Sequence, residues 1–233
     1  IAQVLASAQD SSHMDSAVFF KMNALKTEER RLLVERHLIS PALADSKGQR
    51  GVLFNRNESL SVMINEEDHL RIQVLRNGLD FAQVWKKANA VDLGLDSNLS
   101  YAYDGELGFL TACPTNVGTG LRASVMMHLP GLVMSKNMDK VINAVNQLGI
   151  AVRGIFGEGS DASGSVFQIS NQQTLGESEE DILERLDKTL CKIMEQELNA
   201  RTKLLDESRS LVLDKIGRAL GVLRGAWVMQ SSE

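Results

Sequence analysis

Cysteine is scarce in this chain of 233 residues: there are two, Cys113 and Cys191, far apart and in no metal-binding spacing. Their scarcity excludes a disulfide framework and points to a reducing, cytoplasmic setting. Aromatic residues make up 5% of the chain, with two tyrosines, too few for a platform on which bases stack. The net charge of −5 argues against direct, non-specific binding of nucleic acid. No apolar run approaches the length of a membrane span, and the first residues lack the form of a signal peptide. The Walker loop GxxxxGKS/T, the HRD and DFG motifs, HExxH and GxSxG are all missing, and the four histidines are scattered. P-loop NTPases, ordinary protein kinases, zinc peptidases and α/β-hydrolases are thereby set aside. Repeats and low-complexity segments are absent too.

What is present is an ordinary soluble composition, 43% hydrophobic and 24% charged, long enough for one large domain or a domain with a small appendage. Strands are expected at residues 17–22, 52–54, 59–64 and 70–75, the last three antiparallel with tight connections. A hairpin is expected at 101–110 around Asp104-Gly105. Further strands are expected at 122–129, 151–156 and 166–170, the last two flanking a glycine-rich loop at 157–164. Helices are expected at 26–38, at 79–91 with Trp85, and at 138–148, where Gly149 is a stop signal. From Ser178 the character changes. Ser178 caps a run of acids, then Ile182, Leu186, Leu190, Ile193 and Leu198 recur at helical spacing, and a last helix covers 211–223. Strands in the middle and helices at the end give an α+β class, an antiparallel sheet flanked by helices.

Two segments carry chemistry. Residues 62–74 read Val-Met-Ile-Asn-Glu-Glu-Asp-His-Leu-Arg-Ile-Gln-Val, and strand alternation puts Val62, Ile64, Leu70, Ile72 and Val74 on a core face. The same alternation places Glu67 and Arg71 together on the polar face and turns Glu66 and Asp68 away unless the strand is irregular there. Solvated charge is the ordinary meaning of such a face. In residues 121–129 alternation sends Leu121, Ala123, Val125, Met127 and Leu129 inward, and leaves Arg122, Ser124, Met126 and His128 on the other side. Arg71, Arg122 and Arg153 all fall at strand ends, a distribution able to hold a phosphate chain despite the negative net charge. Cys191 lies on the apolar helical stripe and reads as a small core residue. Cys113, beside Pro114 and a turn in arginine-rich surroundings, is the candidate reactive thiol.

The segments Asn65-Glu66-Glu67-Asp68-His69, with Arg71, and Cys113-Pro114-Thr115-Asn116-Val117-Gly118-Thr119, followed by Leu121-Arg122-Ala123-Ser124, resemble the ATP:guanido phosphotransferase (phosphagen kinase) superfamily. The likeness is greatest to its bacterial protein arginine kinase branch and spans roughly residues 18–228. The resemblance implies that Glu67 orients and deprotonates a guanidinium, that Cys113 lies against it, and that Arg71 and Arg122 contact ATP phosphates. Arg122, Ala123, Ser124, Val125 and Met126, and Arg153, Gly154, Ile155, Phe156, Gly157 and Glu158, would then line the nucleotide. Glu158 is implied as the second catalytic carboxylate, with Asp161 in reserve, and His37 as a nucleotide contact, although alone it reads as a buried helix residue. Small-molecule phosphagen kinases carry a second arginine and a His-Thr-Glu run where this chain has Phe156 and Gly159-Ser160-Asp161, which favours the protein-substrate branch.

The same resemblance implies ATP as cosubstrate, Mg2+ carried by the nucleotide with no dedicated protein cage, and a catalytic domain over residues 1–176 with a helical segment at 177–233 packing on it. It implies protein substrates with exposed arginines, among them a heat-shock repressor and Clp protease clients, a zinc-binding activator protein, and a homodimer. Members of the superfamily carry an upstream Ser-Ser-Arg motif, absent from residues 1–40, and the bacterial branch carries a C-terminal Arg-Asp motif, absent here. A fragment or a reduced homologue is expected on that account. The alternatives are a small-molecule guanidino kinase and an inactive nucleotide- or partner-binding module.

Overall fold

A computed structural model describes residues 17–154 and 163–229. The chain forms two compact units, one ending at Gly120 and the other beginning at Leu121. Each is α+β and built on an antiparallel sheet.

In the first unit β1 (Val18–Lys21), β2 (Gly51–Phe54), β3 (Leu60–Ile64) and β4 (Leu70–Val74) pair in that order, every pair antiparallel. Helix α1 (Thr27–Glu35), helix α2 (Pro41–Asp45) and helix α3 (Phe81–Asp96) accompany them. Alternation gives the sheet two apolar faces. Leu53, Leu60, Val62 and Ile64 pack with Val91 and Leu95 of α3, whereas Val52 and Met63 pack with Met22, Ile39 and Leu43. Burial on both sides explains why β3 reads as a nearly unbroken apolar run. The expected hairpin follows as β5 (Tyr103–Asp104) and β6 (Gly108–Phe109), with the Asp104 carboxylate accepting the N–H groups of Glu106 and Leu107 at 2.9 and 3.0 Å.

In the second unit β7 (Ser124–His128), β8 (Ile150–Gly154) and β9 (Val166–Asn171) form a sheet in the order β7-β9-β8, so the last strand inserts between the other two. Its helices are α4 (Pro130–Met134), α5 (Met138–Asn146), α6 (Glu179–Glu207) and α7 (Arg209–Gly225). Phe167 and Ile169 of β9 are fully buried, α5 packs on β8, and α6 packs on α4 and β9. The Ser178 hydroxyl caps α6 by accepting the Asp181 N–H at 3.2 Å. The change of character expected from Ser178 coincides with the start of α6, which packs against α4 and β9.

Ile182, Leu186, Leu190 and Ile193 are buried along α6, but Leu198 is 61% exposed and Cys191 is exposed. At about 100° per residue Cys191 is turned a quarter-circle from Leu190, which takes it off the buried stripe. The next buried position on that stripe is a charged residue, Glu197. Its carboxylate accepts the N–H groups of Gly131 and Leu132 at 2.8 and 2.9 Å, capping α4, and pairs with Arg201 at 2.5 Å.

Candidate functional site

Residues 65–69 are not strand. They form a tight loop between β3 and β4, so alternation cannot be carried through from 62 to 74. Asn65 enters the left-handed region at φ 57°, which asparagine tolerates better than most residues, and its N–H donates to the His69 carbonyl at 3.0 Å. The loop is held from two sides. On one side Glu66, its side chain 6% exposed, accepts hydrogen bonds from the Ser40 hydroxyl and from the Glu67 N–H at 3.0 Å, and faces Arg71 Nη1 at 3.4 Å. The Glu66 carbonyl also receives Arg50 Nη1 at 2.9 Å. On the other side Asp68 Oδ1 accepts the Ala112 N–H at 2.6 Å. Arg71 is thus paired with Glu66 and not with Glu67, the reverse of what alternation implied. Glu67 is exposed at the tip, and its carboxylate has no hydrogen bond or ion pair among the described residues.

Burial pushes the Glu66 carboxyl up, but the Ser40 hydroxyl, the Glu67 N–H and the Arg71 charge together outweigh it and hold Glu66 below the ordinary glutamate value. Ser40 serves two partners at once, because its oxygen also accepts the Leu43 N–H at 3.0 Å as the N-cap of α2.

Cys113 opens a 3-10 turn, Pro114–Asn116, and is half-buried. Its sulfur lies 3.0 Å from the Thr115 hydroxyl, and its carbonyl accepts the Thr111 hydroxyl at 2.7 Å and the Asn116 N–H at 3.0 Å. Beyond the turn Gly118 pairs with Phe109, the two exchanging N–H donors at 2.8 and 3.2 Å. A Cβ on Gly108 would sit 2.6 Å from the Gly118 carbonyl oxygen, so only glycine lets these backbones approach.

His37 is not in a helix. Helix α1 ends at Glu35, and His37 takes the left-handed position after it at φ 58°. The N–H groups of His37 and Leu38 close the helix end onto the carbonyls of Val34 and Leu33, both at 2.9 Å. Its ring is therefore exposed instead of buried. Gln73, on the same face of β4 as Arg71, donates to the His37 carbonyl and ties this corner to the arginine.

The second unit holds the other two candidate arginines, Arg122 and Arg153. Arg122 precedes β7, is exposed, and donates to the Ser170 hydroxyl at 3.4 Å. Register places Met126, Gln168 and Arg153 in one row across the sheet and Ser124 beside Ser170, so Arg122, Ser124, Met126 and Arg153 share a face. Ala123 and Val125 turn inward, as alternation implied, and offer a ligand backbone alone. Gly154 ends β8. Ile155, Phe156, Gly157, Glu158 and Asp161 lie outside the described residues.

Four residues that sequence reasoning did not single out support these groups: Ser40, Arg50, Asp68 in its structural role, and Asn171. Asn171 is 4% exposed. It accepts the Ala123 N–H at 2.8 Å and donates to the carbonyls of Leu121 and Gln173, both at 2.9 Å, gripping the chain on either side of Arg122. Of the four, Ser40 alone had a local signal, a serine directly before a proline, the N-cap and first-turn pair of a helix.

Residues 1–200 match the family described as ATP:guanido phosphotransferase, C-terminal catalytic domain. The chain is 47% identical over 226 residues to the protein-arginine kinase of Halalkalibacterium halodurans, covering 97% of this chain and 64% of that protein. It is 48% identical over 227 residues to the protein-arginine kinase of Bacillus subtilis (strain 168), covering 97% and 62%. The chain thus spans less than two thirds of the length of these curated relatives. Among solved structures it is similar to lombricine kinase, with a TM-score of 0.74 at 26% identity over 87% of this chain and 59% of that one. It is also similar to the duplicated taurocyamine kinase from Schistosoma mansoni with bound transition state analog components, with a TM-score of 0.69 at 26% identity over 84% and 29%.

Proposed function

This chain belongs to the ATP:guanido phosphotransferase family, matching its catalytic domain, and we propose that it uses ATP to phosphorylate arginine side chains of proteins. The observation that carries this reading is the loop at residues 65–69, where Glu66 and Asp68 are tied down and the Glu67 carboxylate is left exposed. A free guanidinium holds its proton far above neutral pH and is a poor nucleophile until a carboxylate takes that proton and fixes its plane. Glu67 fills that role. The guanidinium nitrogen then attacks the γ-phosphorus, an N–P bond forms, the bond to the bridging oxygen breaks, and ADP leaves. Cys113 lies along the guanidinium, and Glu158 is the second carboxylate.

Phosphoryl transfer is mainly positioning and charge neutralisation. Arg71, Arg122 and Arg153 supply forked donors for the phosphates, and magnesium enters as part of the nucleotide substrate with its own waters. His37, the stretch from Ala123 to Met126, and residues 154–157 complete the nucleotide contacts. An exposed base suits a guanidinium presented on a protein surface, and the relatives named protein-arginine kinase support that substrate over the small guanidino compounds of the fold neighbours. Partners of the proposed enzyme are proteins with exposed arginines, such as a heat-shock repressor and Clp protease clients, a zinc-binding activator, and a second copy of the chain, in the cytoplasm. Among the described residues no helix is long and apolar enough to cross a membrane.

Radiolabel from γ-labelled ATP is expected in protein as acid-labile, base-stable phosphate. Transfer to free arginine or creatine alone would replace this reading with a small-molecule kinase, and ATP binding without any transfer would replace it with an inactive module.

A further inference from the structure

Glu67 and Cys113 come from segments far apart in the chain, and one hydrogen bond joins the residues next to them. Asp68 follows Glu67, Ala112 precedes Cys113, and Asp68 Oδ1 accepts the Ala112 N–H at 2.6 Å across a separation of 44 residues. We propose that Asp68 is a positioning residue that sets the Cys113 thiol relative to the Glu67 carboxylate. The contact is short and charge-assisted, the stronger class of hydrogen bond. Both ends of it are braced. Asn65 closes the acidic loop onto His69, Glu66 anchors it to Ser40 at the start of α2, and the Thr111 hydroxyl holds the Cys113 carbonyl. A displacement at Asp68 therefore passes to Cys113 through one peptide unit, with little slack to absorb it.

The kinetic part of this inference rests on the proposed phosphotransfer, and the thiol part does not. The test uses the whole chain carrying Asp68→Ala or Asp68→Asn. Asparagine keeps an oxygen able to accept the Ala112 N–H, and alanine does not. Iodoacetamide labelling of Cys113 and Cys191 is followed by mass spectrometry, and steady-state arginine phosphorylation is measured in parallel. In Asp68→Ala, Cys113 should label several-fold faster while the exposed Cys191 keeps its wild-type rate as the reference for reagent reactivity, and a cooperative urea unfolding transition in the variant reports an intact fold. The same variant should lose about tenfold to a hundredfold in kcat with the KM for ATP unchanged, the scale for a displacement of order 1 Å at a reacting group. Asp68→Asn should restore both readouts to near wild type.

An unchanged Cys113 rate in Asp68→Ala overturns the inference. So does an Asp68→Asn variant as impaired as the alanine, since the negative charge and not the hydrogen bond would then be what matters. If the labelling rates behave as stated and the wild-type protein transfers no phosphate to arginine, the functional reading fails while the positioning role stands.

Discussion

The Arg71 guanidinium lies 3.4 Å from the carboxylate of Glu66, the neighbour that strand alternation turns away from it. The loop at residues 65–69 makes this possible, because a turn breaks the two-residue period and lets Glu66 fold back toward β4. Adjacent glutamates thereby take different tasks. Glu66 holds an arginine, a serine and a backbone amide, and Glu67 remains available to a substrate.

Glu67→Gln keeps the shape and hydrogen-bonding capacity of the side chain and removes the base. Turnover should fall by about 10²–10⁴-fold, the usual span for general acid–base groups, with ATP affinity hardly altered. Glu66→Gln should show a different pattern: a weaker KM for ATP as Arg71 loses its partner, and a stability loss of about 1–2 kcal/mol from weakened charge-assisted hydrogen bonds. Steady-state kinetics and urea unfolding of both variants decide the matter. Near-normal protein phosphorylation by Glu67→Gln would remove it as the base.

The depressed Glu66 carboxyl makes part of the stability depend on pH. Because its folded value lies below the ordinary 4.5, the unfolded chain binds more protons in that range, and stability rises with pH. The contribution is complete above the ordinary value and is lost as pH falls through the folded one. Ser40→Ala removes a hydroxyl that helps to hold the carboxyl down, and also the N-cap of α2, worth about 0.5–2 kcal/mol at every pH. The stability gap between wild type and Ser40→Ala should be constant above about pH 5 and narrow toward pH 3. A gap that widens in acid contradicts this account of Glu66.

The longer elements were legible because their periods are strong, whereas the short helices α2 and α4 were not expected. Alternation in residues 121–129 matches the burial of β7, and Ser178 and Gly149 mark helix ends as capping chemistry requires. Three features were not legible. The turn at 65–69 depends on Asn65 adopting φ 57°, a choice that few residues make and no pattern announces. His37 ends a helix from a left-handed position usually given to glycine. The Asp68–Ala112 and Asn171–Ala123 hydrogen bonds join residues 44 and 48 apart, a distance at which local sequence carries no signal. At the candidate site, sequence named Glu67, Arg71, Cys113 and Arg122 and missed the residues that hold their segments, Ser40, Arg50, Asp68 and Asn171.

The two thiols should be separable by protection and not by exposure. Cys191 is exposed on α6 and Cys113 is half-buried beside Thr115, so accessibility by itself favours Cys191. Mg-ATP together with an arginine-bearing protein substrate should slow the alkylation of Cys113 about tenfold at concentrations about ten times their Kd, and leave Cys191 unaffected. Equal protection of both, or of neither, places Cys113 outside the substrate site.

Asn171 offers the sharpest test of how Arg122 is held. Its amide is buried and fully used, accepting from Ala123 on one side of Arg122 and donating to Leu121 on the other, with a second donor on Gln173. Asn171→Ala leaves one N–H and two carbonyls without their partner and opens a small void, a loss of about 2–4 kcal/mol. Asn171→Asp has the same shape and retains the acceptor for Ala123, yet it directs a carboxylate oxygen at two carbonyls. If hydrogen bonding and not volume is what matters, aspartate should be at least as damaging as alanine at neutral pH. Its deficit relative to wild type should shrink as the pH is lowered, because protonation returns a donor to that side and the buried acid binds its proton more tightly folded than unfolded. ATP affinity should weaken in both variants at temperatures where they remain folded, since the peptide units flanking Arg122 lose their fixed orientation. Denaturant unfolding across pH 4 to 8, about the range in which a buried aspartic acid titrates, and nucleotide binding by calorimetry supply the two readouts. An Asn171→Asp variant with wild-type stability at neutral pH would show that these three hydrogen bonds do not hold the arginine segment.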